Sequence, residues 1–150
     1  MKKFQVLNFH YILSMIDLQK VDKDGRSKLI ALDIALGDIV DSHNDEVERI
    51  KSRISKGHEE EIAKVSELMA QLESASEEEK CIIRDKINSC VAYAEMQQQL
   101  NEEINRRLTE DVSVDIVELK SEELAEWCAA SGVSLTIDIL RELRKAGLIH

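Results

Sequence analysis

Between Leu29 and Ile54 the apolar residues recur at intervals of three and four: Leu29, Leu32, Leu36, Ile39 or Val40, Val47, Ile50 and Ile54. The one polar residue in that stripe is His43. The spacing is that of one face of an α-helix, close to the heptad seam along which two helices pair. A helix from Arg26 to about Ser55 would be ~45 Å long at ~1.5 Å per residue. Nothing in the composition interrupts it, because the chain has no proline and only five glycines. Gly57 is the one credible break, and beyond it Ile62, Val65, Met69 and Leu72 carry the periodicity to about Glu73.

The stretch "SASEEEK" reads as the turn at the far end. Ser76 followed by Glu79 makes a capping box, with acids in the first turn where the helix dipole favours them. The returning helix is expected to reach about Thr109. Ile83, Ile87, Cys90, Ala94, Gln97, Asn101, Ile104 and Leu108 alternate at four and three, so Ala94, Gln97 and Asn101 give this seam a small and polar middle. Polar seam residues lower stability but set register. His43 is expected to face Gln97 or Asn101, with Val47 and Ile50 as further seam residues.

Both ends read differently. "KFQVL" alternates Phe4 and Val6 with polar neighbours, and "EDVSVDIVEL" alternates Val112, Val114 and Ile116, so two short paired strands are expected. Asn8 would cap a helix from Phe9 to about Lys20. Ser121 would cap a helix over Glu122 to Ala130 with Leu124, Trp127 and Cys128 inward, ended by Gly132. A last helix would place Leu135, Ile139, Leu140 and Leu143 inward and stop at Gly147. The predicted fold is mainly α: a long antiparallel, coiled-coil-like helical hairpin (29–109) on a small α+β base with a two-stranded sheet (1–28 and 110–150).

A net charge of −10 is the wrong sign for direct nucleic-acid binding, where phosphate neutralisation supplies most of the affinity. The three cysteines, Cys81, Cys90 and Cys128, are odd in number and lack CxxC spacing, which suggests reduced thiols and a cytoplasmic protein. Asn8, His10 and Asp17 interrupt the first apolar run, so neither a signal peptide nor a membrane span is expected.

No pattern for catalysis, a metal or a cofactor emerges. The turn "VDKDGRS" has the Asp22, Asp24, Gly25 spacing of a calcium loop, but Lys20 and Ala31 then stand where its first and last ligands belong. His10, His43, His58 and His150 never pair at HxxxH spacing. Glu59, Glu60 and Glu61 are candidates for docking a basic partner. Trp127 is a core anchor or an interface residue. Arg106, Arg107, Arg141 and Arg144 are candidate anion-binding residues.

The order of these features, with "KVDKDGRSKL", "LTEDVSVDIVELKSEEL" and "LTIDILRELRKAGLI", resembles a loose group of small tailed-phage proteins encoded among tail and morphogenesis genes. Leu18, Lys20, Arg26, the stretch 112–119 and Leu140 with Leu143 carry the resemblance. It implies a viral or mobile-element origin and a binding role, with no activity to carry over. The expectation is a non-enzymatic, homo-oligomeric interaction or assembly protein acting through an acidic helical arm on a protein partner. The alternative is an inhibitor of a host defence system, working by nucleic-acid mimicry or by holding a small nucleotide between subunits on the arginine clusters.

Overall fold

The computed structural model describes residues 1–150. It contains seven α-helices: α1 Lys3–Ser14, α2 Lys23–Ser55, α3 Glu59–Ser74, α4 Glu77–Asn88, α5 Val91–Leu108, α6 Ser121–Ser131 and α7 Ile137–Lys145. A 3-10 turn, Leu18–Lys20, lies between α1 and α2. No helix is long and apolar enough to cross a membrane. The chain divides into two compact units, one of Met1–Asp45 with Arg107–His150, the other of Glu46–Arg106.

The expected two-stranded sheet is absent. "KFQVL" is the start of α1, and the sole trace of pairing is an isolated antiparallel bridge between Lys2 and Asp111. The reason is periodicity. Val6, Phe9, Leu13 and Ile16 fall at three- and four-residue spacing and all four are buried, whereas Phe4 is 41 % exposed. That helical face outweighs an alternation only a few residues long. Asn8 is thus interior to α1, and the cap comes from Gln5, whose side chain accepts from the Lys2 N–H at 2.8 Å.

The second predicted strand is extended but unpaired. Val112, Val114 and Ile116 lean on the core while Ser113, Asp115 and Val117 are exposed, so the alternation is real without a ladder. Hydrogen bonds fasten its two ends: Val112 donates to the Met1 carbonyl at 2.9 Å, and His150 donates to Leu119 at 2.9 Å.

In the first unit Leu29, Leu32 and Leu36 of α2 pack with Val6, Phe9 and Leu13 of α1, Leu124 and Trp127 of α6 and Leu143 of α7. Each fully buried leucine or phenylalanine contributes about 1.5–3 kcal/mol. The turn at Val21 and Asp22 is the helix cap of α2, its Asp22 carboxylate accepting from the Gly25 N–H at 2.8 Å. Gly25 sits in the first turn of α2 against the indole. A Cβ there would lie 2.5 Å from Val21 Cγ1 and 2.9 Å from Trp127 Cζ2. Ion pairs stitch the surface: Lys2–Asp111 at 2.8 Å, Lys3–Glu110 at 3.0 Å and Lys28–Glu123 at 2.6 Å.

In the second unit Ile50 and Ile54 of α2 bury against Met96 of α5, with Ile62, Tyr93 and Leu100 around them. α3 and α4 pack together across the turn at Ala75, and Ser76 and Glu79 form the capping box that the sequence predicts. The hydrogen bond from Ser76 lowers the Glu79 pKa below its ordinary value. The single helix expected over 77–109 is two helices. At the break Ser89 Oγ donates to the Lys86 carbonyl at 2.7 Å and Cys90 Sγ approaches the same carbonyl at 3.4 Å. Side chains that bond the backbone locally compete with the helical ladder.

Two predictions follow from the packing of the first unit. Gly25→Ala is expected to destabilise by about 1–3 kcal/mol in urea unfolding, because the new methyl overpacks a filled contact. Gly37→Ala is expected to stabilise by about 0.5–1 kcal/mol, since its Cβ meets nothing within 4 Å and alanine is the better helix former. Acid unfolding is a third test. Hydrogen bonds from Arg107 and then Lys3 hold Glu110 below the usual carboxylate range, Lys2 does so for Asp111, and Lys28 with the Lys120 N–H does so for Glu123. Groups with depressed folded pKa values stabilise above their unfolded pKa and lose that contribution as pH falls through the folded one. Tm is therefore expected to hold down to about pH 5 and to drop below about pH 4, less steeply in Glu123→Gln.

Candidate functional site

Helix α1 has apolar residues on two sides. One side is the core face of Val6, Phe9 and Leu13; the other carries Phe4, Tyr11 and Met15, spaced seven and four residues apart, at 41 %, 65 % and 40 % exposure. Its only ionisable side chains are Lys3, His10 and Tyr11. Lys3 pairs with Glu110, and His10 Nε2 lies 3.1 Å from Asp33. A helix that is apolar all round is normally buried on all sides. Here one side faces a groove of about 490 Å³ shared with α7, whose wall is Ile139, Leu143, Asp138 and Glu142. Ile137, at the start of α7, is 70 % exposed. Asp138 and Glu142 are neutralised along their own helix by Arg141 at 3.3 Å and Lys145 at 2.9 Å, and the Glu142 hydrogen bond raises the Lys145 pKa.

The residues singled out from the sequence are distributed over both units. His43 is buried in the first unit, at 7 % exposure. Gln97 and Asn101 belong to the second unit, Gln97 half-buried and Asn101 exposed. Val47 is half-buried, Ile50 is core and Ala94 is exposed. On α5 the inward stripe lies one residue before the one expected, with Met96 buried and Tyr93, Leu100 and Glu103 half-buried. Glu103 is only 16 % exposed and is held by Arg53 at 2.5 Å and Arg106 at 3.2 Å. Ala94, Gln97 and Asn101 instead open onto a shallow groove lined with amides, together with Asn88, Gln98 and Asn105.

Glu59, Glu60 and Glu61 form the first turn of α3. Glu59 accepts from the Gly57 N–H at 3.1 Å, which lowers its pKa, while Glu60 is exposed and Glu61 half-buried. Trp127 belongs to the core of the first unit, at 8 % exposure. Arg107 is bonded to Glu110 at 2.8 Å and Arg141 to Asp138, leaving Arg144 exposed in the last turn of α7. Neither the groove between α1 and α7 nor the amide-lined groove of α5 is lined by Arg106, Arg107, Arg141 or Arg144.

The groove between α1 and α7 escapes a reading of the sequence that assigns Phe4 to a strand. The signal was present in "FQVLNFHYILSM", which is apolar at too many angles for a helix with one buried face. No family model, curated protein or solved structure matches the chain.

The thiols give a direct check on the packing. Cys81 is exposed, Cys90 is half-buried and Cys128 is buried at 1 % exposure, where desolvation pushes its pKa up. Because the thiolate is the reactive form, iodoacetamide is expected to modify Cys81 rapidly in the native protein. Modification of Cys128 should wait for unfolding, as read by mass spectrometry of the labelled peptides. Equal rates at the two sites would contradict the core described above.

Proposed function

We propose that this chain is a non-enzymatic interaction and assembly protein, and that the groove between α1 and α7 is its docking site for an amphipathic helix of a protein partner. The observation that carries this reading is the bare apolar side of α1, with Phe4, Tyr11 and Met15 along one wall of a mainly apolar groove. A helix laid between two helices buries its own apolar face and covers theirs, which is the helix-in-groove mode of recognition. Aromatic side chains at the centre of such a groove supply most of the binding energy. The assembly role agrees with the resemblance of the sequence to phage proteins from tail and morphogenesis regions, and the partner in this reading is a component of such an assembly. A second copy of the chain is one such partner, which retains the homo-oligomer.

The nucleotide-binding alternative receives less support. Arg106, Arg107 and Arg141 each have a carboxylate partner already, and a phosphate would have to displace it.

A photoreactive phenylalanine analogue at Tyr11 tests the docking site. On irradiation in an extract of the producing cells it is expected to give a discrete adduct identified by mass spectrometry. Phe4→Asp or Met15→Asp is expected to abolish that adduct at unchanged Tm, with an affinity loss of about 30-fold for a lost hot-spot contact of ~2 kcal/mol. If Tyr11 forms no adduct, or the adduct survives both substitutions, the groove is not the docking site.

A further inference from the structure

The extended segment between its two fastened ends is unlike the rest of the chain. No backbone hydrogen bond involves residues 113–118, and none of their side chains makes a hydrogen bond or an ion pair within the molecule. Their N–H and C=O groups must therefore be satisfied from outside. The alternate residues Val114 and Ile116 are nevertheless anchored on the core, which holds the backbone extended. Beside the segment runs an open cleft of about 430 Å³, with Gly147, Leu148 and His150 on its far side. An extended, unpaired backbone with a cleft alongside is a template for adding a strand.

Charge selects the occupant. Glu110, Asp111 and Glu123 are each neutralised by a lysine or arginine, but Asp115, Glu118 and, just beyond, Glu122 and Glu126 have no ion pair. A second copy paired here would bring the same acids against its own, and like charges across a strand pair are destabilising. An extended basic segment has the opposite sign.

We propose that residues 113–118 are a docking strand that takes an extended, basic segment of a partner protein by β-augmentation. The strand is a site separate from the groove between α1 and α7, and it stands or falls on different variants.

The probe is a blocked seven-residue peptide of alternating lysine and valine, with binding read by fluorescence anisotropy at low salt. Three comparisons decide the mode. The same peptide N-methylated at alternate amides keeps its charge but loses its strand donors. Val117→Pro removes an N–H that has no internal partner and suits extended backbone, so Tm is expected to be unchanged. Asp115→Lys with Glu118→Lys reverses the charge and keeps the backbone. The N-methylated peptide and the charge reversal are each expected to bind about tenfold or more weakly, the equivalent of two or three net hydrogen bonds or charge contacts, and Val117→Pro, which removes one donor, about threefold or more weakly. Tyr11→Asp, which disables the groove, is expected to leave peptide binding as it was.

No binding by the lysine-valine peptide overturns the proposal. Equal binding by the N-methylated peptide also overturns it, because the attraction would then be charge alone. Should Val117→Pro lower Tm, the charge reversal and the N-methylated peptide still decide the matter. A wild-type dimer by light scattering that Val117→Pro converts to a monomer would assign the strand to a second copy and overturn the basic-peptide occupant.

Discussion

Gly25 brings the first turn of α2 so close to Trp127 that a methyl group has no room between them. Much of the first unit depends on that approach. It places the Asp22 cap, sets the line on which Leu29, Leu32 and Leu36 enter the core, and lets Lys28 reach Glu123 on α6. Arg26 reinforces the turn by donating to the Val21 carbonyl at 2.9 Å. The Asp-x-x-Gly spacing that superficially suits a calcium loop thus has a different cause. The aspartate satisfies an orphan helix N–H, and the glycine makes room for an indole.

Helix boundaries were readable where a local device makes them. The Ser76 box, the left-handed Gly132 after α6 and the stop at Gly147 each act through neighbouring residues, so the sequence alone exposes them. The long stripe of α2 was readable because many positions vote together. What failed had a non-local cause. On α5 an acid, Glu103, occupies a half-buried position where Arg53 and Arg106 converge on it, and a count of apolar residues cannot see that. It favours the neighbouring stripe through Ile104 and Leu108. In α1 an alternation of two apolar residues was set against a helical face whose burial depends on α2 and α6.

The extended segment is a subtler case. Its alternation correctly marked which residues touch the core, because that depends only on the pleat. Pairing depends on a second backbone, and nothing in residues 112–119 says where one is. Among the candidate sites the same division holds. The acids and arginines were visible as residues, yet most of those arginines are spent on intramolecular pairs. The surfaces that remain open, a bare helix side and a bare extended segment, are defined by what fails to cover them.

Fastening the extended segment at Val112 and Leu119 has an entropic consequence. Ordering a free chain costs on the order of 1–2 kcal/mol per residue, which a binding event must otherwise supply. Here that cost is met during folding, by the anchoring of Val114 and Ile116 and by the hydrogen bonds at either end. An arriving chain would have only its own freedom to lose, the situation in which a short interface holds more tightly than its area suggests.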